Sequence, residues 1–542
     1  MEREAIAVER PRGLERKWKV LITLMIGIFM IILDSTIVNI AFPTLRAAFG
    51  AGVADSQWVI SIYVMALGIT TPVAGFLSDR FDIKRIYLMG LALFTLGSFL
   101  CGIAPTLPLL IAARALQGIG GGLAQPLGAA QLYRAFPPKE QGTAFGIFGI
   151  SLVTAPALGP VLGGWLVGMN LWRAIFFVNV PIGILAVTLG TRFLIDYKTG
   201  QRYLFDPLGL LTAVIGFGSI LYAASIAETF GWTGVLTIVV LVVGVLVLVG
   251  HAIWELRGAK EPLMNLRIFY NRTFLNASLV GYVATVALFG AEFLMPLYLQ
   301  SFRGRTALEA GLILLGIAGT SAITTPLAGR LYDKIGPRMI MVIGFILLGI
   351  NTWQLALLKA DTPIPYIVFL LLLRGLAVGL TLQTSFVTAL SNVPLNLLPR
   401  GSSLFNSTRF VVQAIAVASL ATVLVSFLSS NIKAQIDAVE ESAPSTVRFG
   451  VCETPGVSAQ NNLPPGTAAK LARLPTAAVP AAKQKILSGL QQACDQSMQG
   501  FEASYRLTFY ASIGALILAL FLPGWPGKWS GRQAADIPSG GH

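Results

Sequence analysis

Asp34 stands in the middle of an apolar run, ILDSTIVNIAFP (32–43), with Ser35, Thr36 and Asn39 beside it. A charge at bilayer depth costs roughly 2.5–3.5 kcal/mol on insertion scales, so it normally faces a protein interior or a water-filled cavity. There an acid can take up and release a proton; the alternative is a hydrogen-bond partner in helix packing. Arg114, in ARALQGIGGG (113–122), has Gln117 and Gly118 three and four residues on, on its own helical face. A guanidinium keeps its proton, but it can hold an acid such as Asp34 ionised and release it when helices move. Glu292, in LFGAEFLMPLYLQ (288–300), is either a second protonatable or cation-binding acid or a structural partner of Arg374 or Arg409. Asn406, Arg409 and Gln413 form a polar stripe at helical spacing. With Gln383 and Asn351 they suggest a polar lining, to which Tyr63, Phe145, Trp353 and Phe405 could add apolar walls. Asn39 and Gln117 join this set of cavity candidates.

Other chemistry is poorly represented. The chain has two histidines and three cysteines, which leaves little for a metal centre. Gly118–Gly122 is not followed by the Lys-Ser/Thr of a phosphate-binding loop, and no HExxH pair occurs. An enzyme, a cofactor and ATP-driven transport are therefore not expected; a proton gradient is the expected energy source. Net charge is +14, but the basic residues sit mostly in short loops, which fits membrane topology better than nucleic-acid binding.

The elements that carry these residues are membrane helices. The 542 residues are 55% hydrophobic and 12% charged, against about 25% charged in a soluble domain. Apolar runs near 20 residues each span a bilayer. They fall at about 19–41, 58–78, 86–104, 107–132, 142–168, 174–194, 208–227, 235–254, 276–300, 308–331, 339–358, 366–390, 403–428 and 505–523, fourteen in all. The short connections carry most of their Lys and Arg on one side, which places both termini in the cytoplasm; Arg303 and Arg305 sit on the wrong side of this map.

One stretch occurs twice. TTPVAGFLSDRFDIKR (70–85) returns as TTPLAGRLYDKIGPR (324–338), so that Gly75 and Asp79 match Gly329 and Asp333, and Lys84 matches Arg338. The chain reads as two related halves with a cleft between them. In the fifth span, APALGPVLGGW (155–165), Pro156 and Pro160 interrupt the backbone ladder, and Gly159 and Gly163 form a smooth face suited to a rocking contact between bundles.

Gly75-x-Leu77-x-Asp79-Arg80 with Lys84 and Arg85, Arg114-x-x-Gln117-Gly118, and Gly159-Pro160 with Gly163-Gly164 resemble the signature motifs of the major facilitator superfamily. The fifth-span motif, Pro156 included, resembles that of its drug:proton antiporters. LDSTIVNIAFP and Trp172-Arg173-x-x-Phe176-Phe177-x-Asn179-x-Pro181 resemble its fourteen-span branch, the QacA/EmrB-like multidrug exporters. Asp82 departs from the loop motif, which usually carries glycine there, so a less tight turn is expected. The resemblance implies an all-α membrane fold of two six-helix bundles plus two inserted helices. The expected segments are a cytoplasmic 1–18, a first bundle 19–194, a connector with the inserted pair 195–273, a second bundle 274–523 interrupted by an outer loop 429–504, and a cytoplasmic tail 524–542. The eighth span is expected to face lipid, and His251 to lie at an interface.

Residues 429–504 are polar and hold Cys452 and Cys494, which an oxidising exterior would permit to pair; 481–499 could form a short helix. The leading expectation is proton-coupled export of amphipathic or cationic drugs across the cytoplasmic membrane. Asp34 is the first proton site, Glu292 the second, and Asp79–Arg85 closes one face by charge pairing. Asp34 and Arg114 are expected to meet in a water-accessible cavity between the bundles. Lipids, protons, small amphipathic substrates and an accessory envelope protein are the partners considered. A lipid or lysolipid translocator, an uptake carrier and a non-transporting receptor using the outer loop are the alternatives.

Overall fold

Within a bilayer a single chain segment can satisfy its backbone polar groups only as a helix. In the computed structural model the described residues, 14–196, 206–259, 261–427, 452, 479–525 and 529, are helical with short connections and contain no strand. The first half comprises α1 (Arg16–Phe49), α2 (Val53–Phe81), α3 (Ile83–Ile103), α4 (Leu107–Ala135), α5 (Gln141–Gly168), α6 (Ala174–Phe177) and α7 (Asn179–Phe193). An inserted pair follows, α8 (Pro207–Phe230) and α9 (Val235–Ile253). The second half comprises α10 (Arg272–Leu297), α11 (Ala307–Ile335), α12 (Pro337–Ala356), α13 (Ile364–Ser391), α14 (Leu398–Ser426) and α15 (Val479–Ala519).

Thirteen stretches among the described residues are long and apolar enough to cross a membrane. The expected fourteenth, 505–523, falls largely within α15, whose 41 residues would extend about 60 Å at the usual helical rise. That is about twice a hydrocarbon core, so one helix carries a crossing and continues well beyond it. Part of the expected loop 429–504 is thereby helical and continuous with the last span, rather than a short separate helix.

The halves repeat their internal partnerships. α1 packs on α5 and α7, and α4 on α2 and α3; correspondingly α10 packs on α14 and α15, and α13 on α11 and α12. Two helix pairs form the seam between the bundles, α5 with α11 and α2 with α14. Glycine sets how closely they approach. A Cβ on Gly146 would lie 2.7 Å from the Thr325 carbonyl oxygen, and one on Gly75 would lie 3.0 Å from the Arg400 Cα. At the far end of the first pair, Gly311 meets Pro160 and Gly164 meets Leu308, so α5 and α11 touch along most of their length.

α8 packs across the second seam, against both α2 and α14. Ser225 donates to Ser61 at 2.9 Å, and Leu221 fills the space beside Gly68. α9 turns Val239, Val242, Leu246 and Val249 outward, as expected of a helix bathed in lipid.

The motif turns are equally tight. Asp82 has φ 73° and its counterpart Gly336 has φ 81°, a region in which a Cβ is strained. The Asp82 departure changes the strain at the turn and leaves its backbone shape as in the glycine copy.

Candidate functional site: buried charges and the seam

The apolar composition of α1 leaves Asp34 nowhere to be hydrated, and the fold surrounds it with donors from two other helices, α4 and α7. Its Oδ2 receives Arg114 Nη1 of α4 at 2.5 Å. Its Oδ1 receives Gln117 Nε2 at 2.7 Å and Asn179 Nδ2 of α7 at 2.8 Å. Gln117 Oε1 accepts from Arg114 at 2.7 Å, and Gln117 Nε2 also donates to Ser98 of α3 at 2.5 Å. Arg114 Nε donates to the Val59 carbonyl of α2 at 3.1 Å, and its guanidinium lies 4.1 Å from the ring centre of Tyr63. Tyr63 in turn donates to the Ile31 carbonyl at 3.0 Å. Asp34 and Arg114 are 0% and 1% exposed.

The expected pair therefore forms, but not where it was expected. It lies inside the first bundle, sealed by α1, α2, α3, α4 and α7, rather than in a water-accessible cavity between bundles. A paired and fully hydrogen-bonded carboxylate tolerates such burial. Asn179 and Ser98 complete the site and escaped the sequence reading of chemistry. Asn179 could have been flagged as an uncharged polar residue at the apolar start of a span, as Asn39 was.

The second bundle answers with a different solution. Arg374, 1% exposed, donates to the Ala287 and Leu288 carbonyls of α10 at 2.9 and 3.2 Å and approaches Asn351 and Thr352 at 3.4 Å. The Glu292 side chain lies outside the described residues. Asn351 also donates to the Leu370 carbonyl at 2.7 Å, so it holds helices together inside its bundle.

Both copies of the loop motif bridge the seam. Asp79 Oδ2 of α2 receives Arg400 Nε of α14 at 2.5 Å, and both side chains are buried. Asp333 of α11 caps the start of α5, accepting from Gly142 N and Thr143 N at 2.8 Å each and from Thr143 Oγ1 at 2.7 Å. One latch is thus an ion pair, the other a carboxylate on a helix N-terminus, where the backbone dipole favours it. The expected charge pairing at this loop has its partner in Arg400 of α14, a residue outside the motif itself. The remaining motif cations play lesser parts. Arg80 and Arg85 are exposed, Arg85 is 3.7 Å from Asp82, and Lys84 is 4.0 Å from Asp196. Arg338 donates to the Leu522 carbonyl at 2.5 Å, tying the second turn to the chain beyond α15.

The fifth-span motif splits between two partners. Gly159 and Gly163 face Thr36, Ile37 and Ile40 of α1 in their own bundle, whereas Pro160 and Gly164 face α11. The Gly159/Gly163 face is therefore an internal contact, and the neighbouring register makes the contact between bundles. Pro156 lies within α5 and does not end it.

Between the bundles a cavity of about 10 Å³ is lined by Phe145, Thr325, Tyr332, Gln383 and Thr384 among others, room for about one water. This space among the described residues is too small to hold a substrate. Of the cavity candidates, Phe145 and Gln383 line this space. Phe405 packs on Tyr282 and Phe386 within the second bundle, and Asn406 donates to Ser402 of its own helix at 2.9 Å. Arg409 lies beside Phe410. Asn39 is exposed, and Trp353 is exposed on the outer side against Phe509 of α15.

At the end of the molecule opposite the motif turns, Cys452 and Cys494 form a disulfide. Cys452 N donates to the Phe302 carbonyl at 2.9 Å, which fastens α15 to the end of α10. Arg303, anomalous in the charge map, bonds Tyr298 at 3.0 Å and the Thr362 carbonyl at 2.8 Å, a structural tie that accounts for its presence. Among the described residues no cluster of metal-ligating side chains occurs.

The Major Facilitator Superfamily profile matches residues 24–204 and 200–417. YhcA of Bacillus subtilis, described as an MFS-type transporter, is 32% identical over 77% of this chain and 78% of its own. The multidrug export protein EmrB of Haemophilus influenzae is 32% identical over 76% of this chain and 81% of its own. Among solved structures, the human organic anion transporter MFSD10 superposes with a TM-score of 0.56 at 13% identity, covering 92% of this chain and all of that one. The chain belongs to the Major Facilitator Superfamily and is a multi-pass membrane transporter, not an enzyme.

Proposed function

We propose that the protein is a proton-coupled exporter of amphipathic or cationic compounds, working across the cytoplasmic membrane with the motif turns and both termini in the cytoplasm. The single observation that carries this reading is the sealed Asp34–Arg114 pair, placed one turn from the α1 face on which α5 rests. Ionised, Asp34 balances Arg114. Protonated, it leaves a buried guanidinium uncompensated, which is strongly unfavourable. Relief requires α1 or α4 to shift and admit water. Because α5 joins α1 on one side and α11 on the other, such a shift reaches the seam directly.

Asp34 is fully buried among side chains of α4 and α7. In this reading the proton acts through a change of conformation rather than by Asp34 pairing directly with the cargo. Multidrug export by relatives such as EmrB supports the cargo class. The test is a panel of cationic, neutral and anionic compounds in efflux-deficient cells, with and without an uncoupler. Resistance to amphipathic cations that the uncoupler abolishes is expected; no protection against any compound, or protection that survives the uncoupler, contradicts the reading.

A further inference from the structure

The inserted pair ends, beside the motif turns, in buried polar groups that the mechanism above leaves unused. Asp206 caps α8 by accepting from Gly209 N at 2.8 Å and also receives Trp254 Nε1 at 3.1 Å. Thr212 of α8 meets His251 Nδ1 of α9 at 2.8 Å. His251, expected at an interface, is 3% exposed and packed between the two helices. α8 and α9 are thereby cross-linked at this end.

Glu255 follows, 1% exposed, in a π-helical turn, Trp254–Gly258, a local irregularity common at functional sites. Its Oε1 accepts from Leu263 N at 3.1 Å. The carbonyl of that same peptide group, Pro262 O, accepts from Arg400 Nη1 at 3.0 Å. Arg400 is the cation of the seam latch with Asp79. One peptide unit is therefore held with its N–H toward a carboxylate and its C=O toward a guanidinium. Both ends of the peptide dipole are favourably placed, and the Arg400 bond is charge-assisted, one of the stronger kind.

We propose that Glu255 is a positioning residue of the seam latch, fixing Arg400 against Asp79 through the 262–263 peptide, so that the inserted pair is a third component of the gate. The proposal rests on the reading that the motif end is the face that opens during transport. It gives α8 and α9 a task that their lipid-facing surface does not.

The test uses the full-length protein in lipid nanodiscs with spin labels at Phe81→Cys and Asn396→Cys, both exposed at the motif end; Cys101 is buried and Cys452 is bonded. Pulsed electron-spin distances then give the closed and open populations. Glu255→Ala is expected to raise the open:closed ratio roughly tenfold, the effect of losing one buried hydrogen bond. Glu255→Gln, which keeps a side-chain carbonyl acceptor in the same place, falls between that and the parent. Asp79→Asn opens the face by itself, and Glu255→Ala then adds less than about twofold, as expected of residues acting in one network. Should Glu255→Ala fail to fold, Glu255→Gln with and without Asp79→Asn carries the same comparison. Parent-like distances in both Glu255 variants, or a full additional opening on top of Asp79→Asn, overturn the proposal. These distances need no substrate, so a protein that does not export but follows this order defeats the transport reading alone.

Discussion

Replacing Asp79 by Asn removes the anion of one latch and leaves Arg400, 5% exposed, without its carboxylate. Breaking one partner of a buried ion pair costs roughly 3–5 kcal/mol. In the open state both groups meet water, so most of this cost falls on the closed state. At 1.4 kcal/mol per factor of ten, the open:closed ratio should rise by roughly 10²–10³. Asp333→Asn breaks the symmetry-related latch, but its donors, Gly142 N, Thr143 N and Thr143 Oγ1, are neutral. Losing an anion at a helix N-terminus costs up to about 2 kcal/mol, hence at most about thirtyfold. The assay is the reaction rate of Val387→Cys, a residue lining the small cavity at the seam, with a membrane-impermeant thiol reagent applied from the motif side. Asp79→Asn should accelerate labelling by at least about threefold more than Asp333→Asn. Equal rates, or a larger effect from Asp333→Asn, would refute the assignment of the ion pair as the stronger latch.

Two further predictions concern the frame around the site. Asp82→Gly should stabilise the purified protein by about 1 kcal/mol, because it removes a Cβ from a positive-φ position while sacrificing only a 3.7 Å pairing with Arg85; a thermal melt that falls instead would show the aspartate to be the better residue there. Cys452→Ser removes a cross-link spanning 42 residues, which chain entropy values at about 4 kcal/mol; the variant should melt lower than the parent, and reductant should lower the parent while leaving the variant unchanged.

How much of this was legible in the sequence depends on the separation of the partners. Helix positions followed from apolar length, and the twofold plan followed from the repeated TTPxAG…D stretch, since both are local signals. Arg114 and Gln117 could be assigned to one face because three residues of helix fix their relation. Their third partner, Asn179, lies 145 residues from Asp34, and no local pattern reports which helix packs there. The same holds for Asp79 and Arg400, 321 residues apart. A polar residue in a span announces that it must be satisfied, not whether its partner lies within a bundle or across the seam. Hence Asn351 and Phe405, read as cavity lining, proved to be intrabundle contacts. His251 looked interfacial because it ends a very apolar helix; the returning linker at 261–264 buries that end, and linkers carry no periodicity to read.

The central claim is that protonation of Asp34 beside Arg114 drives the transport cycle. The most direct test is Asp34→Asn in proteoliposomes with an imposed pH gradient, following cargo movement and proton flux together. The account predicts that the variant inserts and binds cargo but loses transport driven by the gradient. Gradient-driven transport equal to that of the parent would contradict it.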